Sequence, residues 1–308
     1  MSKHRSSQTH GLLGRVAGAG TDAVRPLVRF TLRHWIRHDE LIRVRQQVRY
    51  LGYSALLARQ PEPPRDLTLY ELSVFSQNGE DGVLQEIFQR IGTTNKFFIE
   101  VGASPNESNA LLLADISGWQ GMIFDASESE SEGLATKYSS SDRVVVVGAF
   151  VTTDNVNSLL SGDGVPAAPD LLSLDIDGND YWVWSALEVV RPRVVVIEYN
   201  AHIAPSRMAV QAYDPTTAWD GTSVFGASVS SLRRLASAKG YRLVHSDSSG
   251  INLIFVDEST LKPDANFLPE DEVVTRVPNY YLYGLRHPDS SVTNDGRYVD
   301  PVPVEKDS

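Results

Sequence analysis

Four short apolar runs, each closed by an acid, constrain this chain more than any other feature. Phe97-Phe98-Ile99 runs into Glu100, Gly121-Met122-Ile123-Phe124 into Asp125, Leu171-Leu172-Ser173-Leu174 into Asp175, and Val194-Val195-Val196-Ile197 into Glu198. Near-continuous apolar runs of this length, separated by helical patterns, mark strands buried on both faces of a sheet. Strands are expected near 96–101, 121–125, 143–148, 170–176, 193–199, 241–246 and 251–257, with a helix over 80–91 and another near 181–190. The pattern predicts an α/β domain with a largely parallel sheet. Tyr241–Ser246 and Ile251–Asp257 are joined only by Asp247-Ser248-Ser249-Gly250, so they must form a hairpin that adds one antiparallel strand at the sheet edge.

Gln60-Pro61-Glu62-Pro63-Pro64-Arg65 reads as a stiff linker. It divides a basic, partly helical arm, residues 1–60, from the α/β domain, residues 66–260; an extension over 261–308 follows, expected to be disordered from about 286. The net charge of −11 hides an asymmetry. Residues 1–60 carry eleven Lys and Arg against three Asp and Glu; the remainder carries 17 against 36. An acidic body excludes nucleic acid as a natural substrate, because phosphate backbones need a basic footprint. In the arm, Arg25, Arg29, Arg33 and Arg37 recur every four residues, which stacks them on one helix face. That face is either simply solvated or attracted to anionic lipid, with residues 25–58 as the contact. There is no cysteine, and no apolar stretch reaches the roughly 18 to 20 residues that span a bilayer. The expected location is cytoplasmic, with peripheral contact at the inner membrane face through the arm.

Chemistry is expected where strands end, because open α/β sheets bind ligands outside their carboxyl edges. Glu100-Val101-Gly102 ends a buried strand in a carboxylate and a glycine, with a helix expected from about Ser108, and the glycine lets a ligand approach the backbone. Asp125, 25 residues on, is placed to accept hydrogen bonds from the hydroxyls of an adenosine ribose. The turn Ala103-Ser104-Pro105-Asn106-Glu107 lacks the further glycines of a dinucleotide fingerprint, and Glu107 adds negative charge where a pyrophosphate would sit. This argues against NAD and for a cationic donor such as S-adenosylmethionine.

Asp175-Ile176-Asp177-Gly178-Asn179-Asp180 is the densest polar cluster. Three carboxylates within six residues need a cation or donors beside them: a divalent ion such as Mg2+ or Mn2+ on Asp175 and Asp177, or the sulfonium itself. Asp177 or Asn179 is otherwise a helix cap. His202, four residues beyond Glu198, is a candidate general base or an exposed bystander. Upstream, Ser76-Gln77-Asn78-Gly79-Glu80-Asp81-Gly82 leads into the first helix, with Ser76 or Asn78 as its cap.

Taken with Glu107-Ser108-Asn109, Gly118-Trp119-Gln120-Gly121 and Lys239-Gly240-Tyr241…Gly250-Ile251-Asn252, these segments resemble the FkbM-type methyltransferase-like proteins over roughly residues 70–257. The resemblance implies a Rossmann-like, seven-stranded sheet, S-adenosylmethionine as donor, and O-methylation of a sugar, glycan or secondary-metabolite hydroxyl. It implies donor contacts by Glu100, Gly102 and Asp125, with Gln77, Glu80, Glu107 and Asn109 from the same segments. Asp175 then positions the acceptor and removes its proton, assisted by Glu198 or His202. Two other readings remain: a metal-dependent glycosyltransferase using Asp175-x-Asp177, and a non-catalytic protein that keeps the fold.

Overall fold

The computed structural model describes Leu51 and residues 63–217, 219–262, 264–278 and 297–301. The Arg-striped arm, apart from Leu51, and the Gln60–Glu62 part of the linker lie outside these. The described body carries a seven-stranded sheet in the order β3-β2-β1-β4-β5-β8-β7. Its strands are β1 (Phe97–Val101), β2 (Gln120–Asp125), β3 (Val144–Gly148), β4 (Leu171–Leu174), β5 (Val194–Glu198), β7 (Tyr241–Ser246) and β8 (Asn252–Asp257). β1 to β5 pair in parallel, whereas β8 runs antiparallel between β5 and the outermost β7. The hairpin thus supplies the expected reversed strand, with its second arm inserted beside β5. This is the α/β, Rossmann-like architecture expected.

Side-chain alternation divides the sheet into two cores. Phe97, Ile99, Leu172, Leu174, Val195, Ile197, Leu253 and Phe255 pack on one face, together with Trp184 of helix α5 (Asp180–Ala186) and Leu232 and Leu235 of α6 (Val229–Lys239). Phe98, Ile123, Leu171, Val194, Val196, Ile254 and Val256 pack on the other, against Val83, Leu84, Ile87 and Ile91 of α1 (Glu80–Ile91). Short helices α2 (Leu111–Asp115), α3 (Glu128–Tyr138) and α4 (Val156–Leu160) fill the remaining crossovers.

Two local expectations need correction, and one glycine has a further role. The helix after β1 begins at Leu111 rather than Ser108, because Ser104 to Ala110 form a separate hydrogen-bonded loop. Gly102, with φ of 84°, is also required by packing: a Cβ there would lie 1.7 Å from the Asp175 carbonyl oxygen, so the glycine lets β1 and β4 close up. Part of the tail expected to be disordered is also placed: Tyr298–Val299 form strand β9, antiparallel to β6 (Val210–Gln211). Residues 279–296 lie outside the described set.

Candidate active site

The register sets the site. Val101 pairs with both Phe124 and Leu174, and Leu174 with Ile197, so the residues one step further, Gly102, Asp125, Asp175 and Glu198, form one row along the carboxyl edge. Glu100 lies two residues deeper, level with Ile123 and Ser173. By alternation all four acids share the α1 face. Outside this row lies a cavity of about 670 Å³, walled by Gln77, Asn78, residues 100–104 and 107–109, Asp125 to Ser127, Glu130, Ala149 to Val151, Asp175 to Asp177, Asn179, Glu198, Thr217, Trp219 and Asn252.

The deep acid is occupied by structure. Glu100, 1% exposed, accepts from the Ser108 hydroxyl, from the Asn109 N–H at 2.7 Å and from the Ala110 N–H at 3.2 Å. Those bonds stabilise its charge, yet burial outweighs them and raises its pKa to about 7. Asn109 in turn donates from Nδ2 to Ser173 at 3.0 Å, tying the loop to β4. At the edge, Asp125 accepts the Ala103 N–H at 3.0 Å on one oxygen and the Ser127 N–H at 2.7 Å on the other. Each oxygen keeps a lone pair for a ligand.

The other two edge acids differ. Among the described residues, no donor is bonded to the carboxylates of Asp175, Asp177 or Glu198, and Glu198 Oε2 is buried without a partner. One oxygen of each lies within 4.8 Å of the others. Burial, then the charges of Asp180 and Asp177, pushes Asp175 well above the usual carboxylate range; burial, then Asp175, does the same to Glu198. The loop carrying them is held from behind. Asp180, in the first turn of α5, accepts the N–H groups of Ile176 at 2.9 Å and Gly178 at 3.0 Å, and its own pKa rises to about 6 through burial. Asp177 adopts a left-handed φ of 57°, which turns it out toward the exposed mouth. Neither Asp177 nor Asn179 caps α5 through its side chain; the bonds that Asp180 accepts fix the loop before the helix, not its first turn.

Of the residues expected from sequence, Gln77, Glu100, Gly102, Glu107, Asn109, Asp125, Asp175, Asp177 and Glu198 line the cavity. Two do not. Glu80 is 1% exposed and sits behind the wall, accepting from the Asn78 N–H at 2.8 Å and Asn252 Nδ2 at 2.7 Å. His202, in the turn after β5, packs edge-on to Phe225 with centroids 6.5 Å apart, its backbone N–H donates to Asn200, and it is not among the residues that line the cavity. At the first helix Gly79 holds the N-cap position without a side chain, and the Ser76 hydroxyl accepts the first-turn N–H of Asp81 at 3.0 Å, as expected of Ser76; Asp81 in return accepts the N–H groups of Val74, Phe75 and Ser76 and shapes the preceding loop.

Sequence reasoning did not single out the cavity roles of three asparagines. Asn78, Asn179 and Asn252 line the wall, are 1 to 3% exposed, and each keeps a buried Oδ1 without a partner among the described residues. For Asn179 and Asn252 the amide orientation follows from chemistry, since Nδ2 donates to the Asp214 carbonyl at 2.7 Å and to Glu80 at 2.7 Å. The only available signal was their position beside strand-end acids and glycines. Phe150 and Trp219, 42% and 40% exposed, add aromatic surface at the mouth.

No protein-family model matches the chain, and no curated protein matches it. Among solved structures it is similar to the N-terminal domain of EvdMO1 with SAH bound, at 12% identity over 60% of this chain and 82% of that one, with a TM-score of 0.40. It is also similar to an O-methyltransferase from Bacillus cereus in complex with SAH, at 19% identity over 56% and 77%, TM-score 0.36. CurJ carbon methyltransferase overlaps 62% of this chain and 57% of its own at 8% identity, TM-score 0.39. At these identities and TM-scores the likenesses say nothing about what this chain binds.

Proposed function

We propose that this chain is an S-adenosylmethionine-dependent O-methyltransferase acting on a hydroxyl of a sugar, a glycan or glycolipid, or a secondary metabolite. The observation that carries the reading is the charge of the cavity wall. It holds seven carboxylates, Glu100, Glu107, Asp125, Glu130, Asp175, Asp177 and Glu198, and among the described lining residues no lysine, arginine or histidine. A nicotinamide dinucleotide or sugar diphosphate would bring phosphates against these acids with no basic group to meet them. A ligand carrying an ammonium and a sulfonium suits both the carboxylates and the three unpartnered amide oxygens. The resemblance of the strand-end segments to FkbM-type proteins supports the same donor.

The bound donor supplies an electrophilic methyl group, transferred by in-line displacement. This chain's residues align and deprotonate the acceptor. Asp125 takes the ribose hydroxyls on its remaining lone pairs. Asp175, unpartnered and raised in pKa, accepts the acceptor's hydroxyl proton, and Glu198 beside it holds the acceptor oxygen in line. The Asp175, Asp177 and Glu198 oxygens also fit a hard divalent ion, Mg2+ or Mn2+, which at that position would lower the acceptor hydroxyl's pKa.

Calorimetry against S-adenosylmethionine, S-adenosylhomocysteine, UDP-glucose and NAD tests the reading. Binding of the first two alone supports it; binding of UDP-glucose or NAD, or of none, overturns it. We also propose peripheral contact with anionic membrane through residues 25–58, on the charge of the arm. Among the described residues, no helix is long and apolar enough to cross a membrane. Salt-sensitive sedimentation with anionic vesicles, lost when Arg25, Arg29, Arg33 and Arg37 become Gln, is the check; salt-independent or absent binding removes the proposal.

A further inference from the structure

Glu80 stands outside the cavity yet touches two parts of its wall. Its Oε2 accepts the Asn78 N–H at 2.8 Å, on the loop before α1, and its Oε1 accepts Asn252 Nδ2 at 2.7 Å, at the start of β8. These segments are 172 residues apart in sequence, counted from Glu80 to Asn252, and the carboxylate is their direct link. The backbone of Asn252 is fixed separately. Asp247 accepts the Ile251 N–H at 3.0 Å and the Asn252 N–H on one oxygen, and the Ser249 N–H at 2.7 Å on the other. What Glu80 adds is the orientation of the Asn252 amide.

A carboxylate with both oxygens accepting offers no donor, so Asn252 must turn its NH2 toward Glu80 and its carbonyl oxygen away. That oxygen is buried and has no partner among the described residues, on a side chain that lines the cavity. Asn78 Oδ1, on the other segment that Glu80 holds, is in the same condition. The row of strand ends gives the cavity a direction: Asp125 and Ala149 to Val151 lie at the β2–β3 end, Asn78 and Asn252 at the opposite end near β8. On the donor reading above, with the ribose on Asp125, the aromatic surface of Phe150 at the β3 end suits the adenine and leaves the opposite end for the amino-acid portion.

We infer that Glu80 is a positioning residue that sets the Asn252 amide and anchors the backbone of Asn78, whose own Nδ2 donates to Gln77 Oε1 at 3.3 Å, so that both present carbonyl oxygens to the ammonium of the bound donor; this rests on the donor reading above. Glu80→Gln keeps the shape and reverses the polarity. The Gln carbonyl must meet the Asn78 N–H, so its NH2 faces Asn252, whose amide then flips and points NH2 into the cavity. An acceptor wall becomes a donor wall against an ammonium.

The experiment measures two ligands on the full chain by calorimetry: S-adenosylhomocysteine, which has the ammonium, and 5′-methylthioadenosine, which lacks the amino-acid portion. Glu80→Gln and Asn252→Ala should each weaken the first about tenfold or more and leave the second within about twofold. The double variant should lose little beyond either single one, because Glu80 acts through Asn252. Equal loss of both ligands marks Glu80 as merely structural and overturns the inference, as does an additive double variant. Should Glu80→Gln fail to give a cooperative melt, Asn252→Ala alone decides by the same ligand ratio. Absence of S-adenosylhomocysteine binding to the unaltered protein sinks the donor reading itself; binding without the selective loss sinks only the role of Glu80.

Discussion

The two halves of the carboxyl edge use the same residue type for opposite ends. On the β1–β2 side, Glu100 accepts three donors and Asp125 two, so these acids hold the 103–110 loop and the start of α3 in place. On the β4–β5 side, Asp175 and Glu198 receive no donor among the described residues and repel each other across a gap of 4.8 Å or less. A buried carboxylate that is satisfied contributes to the fold, and one left open costs stability unless a ligand completes it. Such open acids are where chemistry is expected. Proximity to a strand end does not separate the two kinds; the partner list does.

The largest expected effect breaks the open half. Asp175→Asn keeps volume and removes the charge, and should cut methyl transfer by on the order of a hundredfold or more, measured from labelled S-adenosylmethionine onto the first acceptor found in a panel of sugars and glycosides. S-adenosylhomocysteine affinity should stay within a few-fold, because Asp125 is untouched. Transfer at the unaltered rate would make the 175–180 cluster a folding feature.

Next in size is the satisfied half, read through stability. Glu100 is raised from an ordinary 4.5 to about 7 in the fold, so the folded state prefers its protonated form. Its contribution is fully present below about pH 4.5 and is lost as pH rises through 7, a span worth roughly 3 kcal/mol. Asp81 and Asp180, each raised to about 6, and Asp247, raised to about 8 by burial and Glu80, act in the same direction. The unaltered protein should therefore melt at falling temperature from about pH 5 to about pH 8. Glu100→Gln should be less stable at the acid end, with the gap narrowing as pH rises. Parallel melting curves would show that the Glu100 proton is not what the fold retains.

Seven strands were legible from runs of β-branched and aromatic residues, to within a residue or two at each end; in β1, β4, β5 and β8 burial on both faces leaves no polar alternation to confuse the pattern, and the edge strand β3 keeps its valines although Val145 is exposed. The edge row was legible only in part. Asp125, Asp175 and Glu198 follow the last apolar residue of their strands, and sequence counted Glu100 with them; the register puts it two residues deeper, in contact with Ser108 and Asn109. Register depends on which strands neighbour which, and nothing local to Glu100 encodes it. Glu80 and His202 were misplaced for a related reason: each lies one turn or loop from the wall, and rotation about that turn decides whether a side chain enters the cavity. The amide orientations of Asn179 and Asn252 depend on Asp214 and Glu80, partners remote in sequence.

Asp125 is the intermediate case and gives the smallest effect, so it sharpens the comparison. Both its oxygens already accept one backbone N–H, from Ala103 and Ser127, yet it stands in the edge row and lines the cavity. If it also grips the ribose, Asp125→Ala should weaken S-adenosylhomocysteine by about 1.5–3 kcal/mol, the range for a charged hydrogen-bond partner. Part of that loss would come from the loop, because Ala103 and Ser127 lose their acceptor. Asp125→Asn separates the two contributions. Its single carbonyl oxygen can still serve one N–H, so the protein should melt closer to the unaltered one than Asp125→Ala does, while ribose binding loses the charge in both variants. Affinity that tracks melting temperature across the pair would assign Asp125 to the structural half with Glu100. Affinity equally low in both, with stability restored only in Asp125→Asn, assigns it to the ligand.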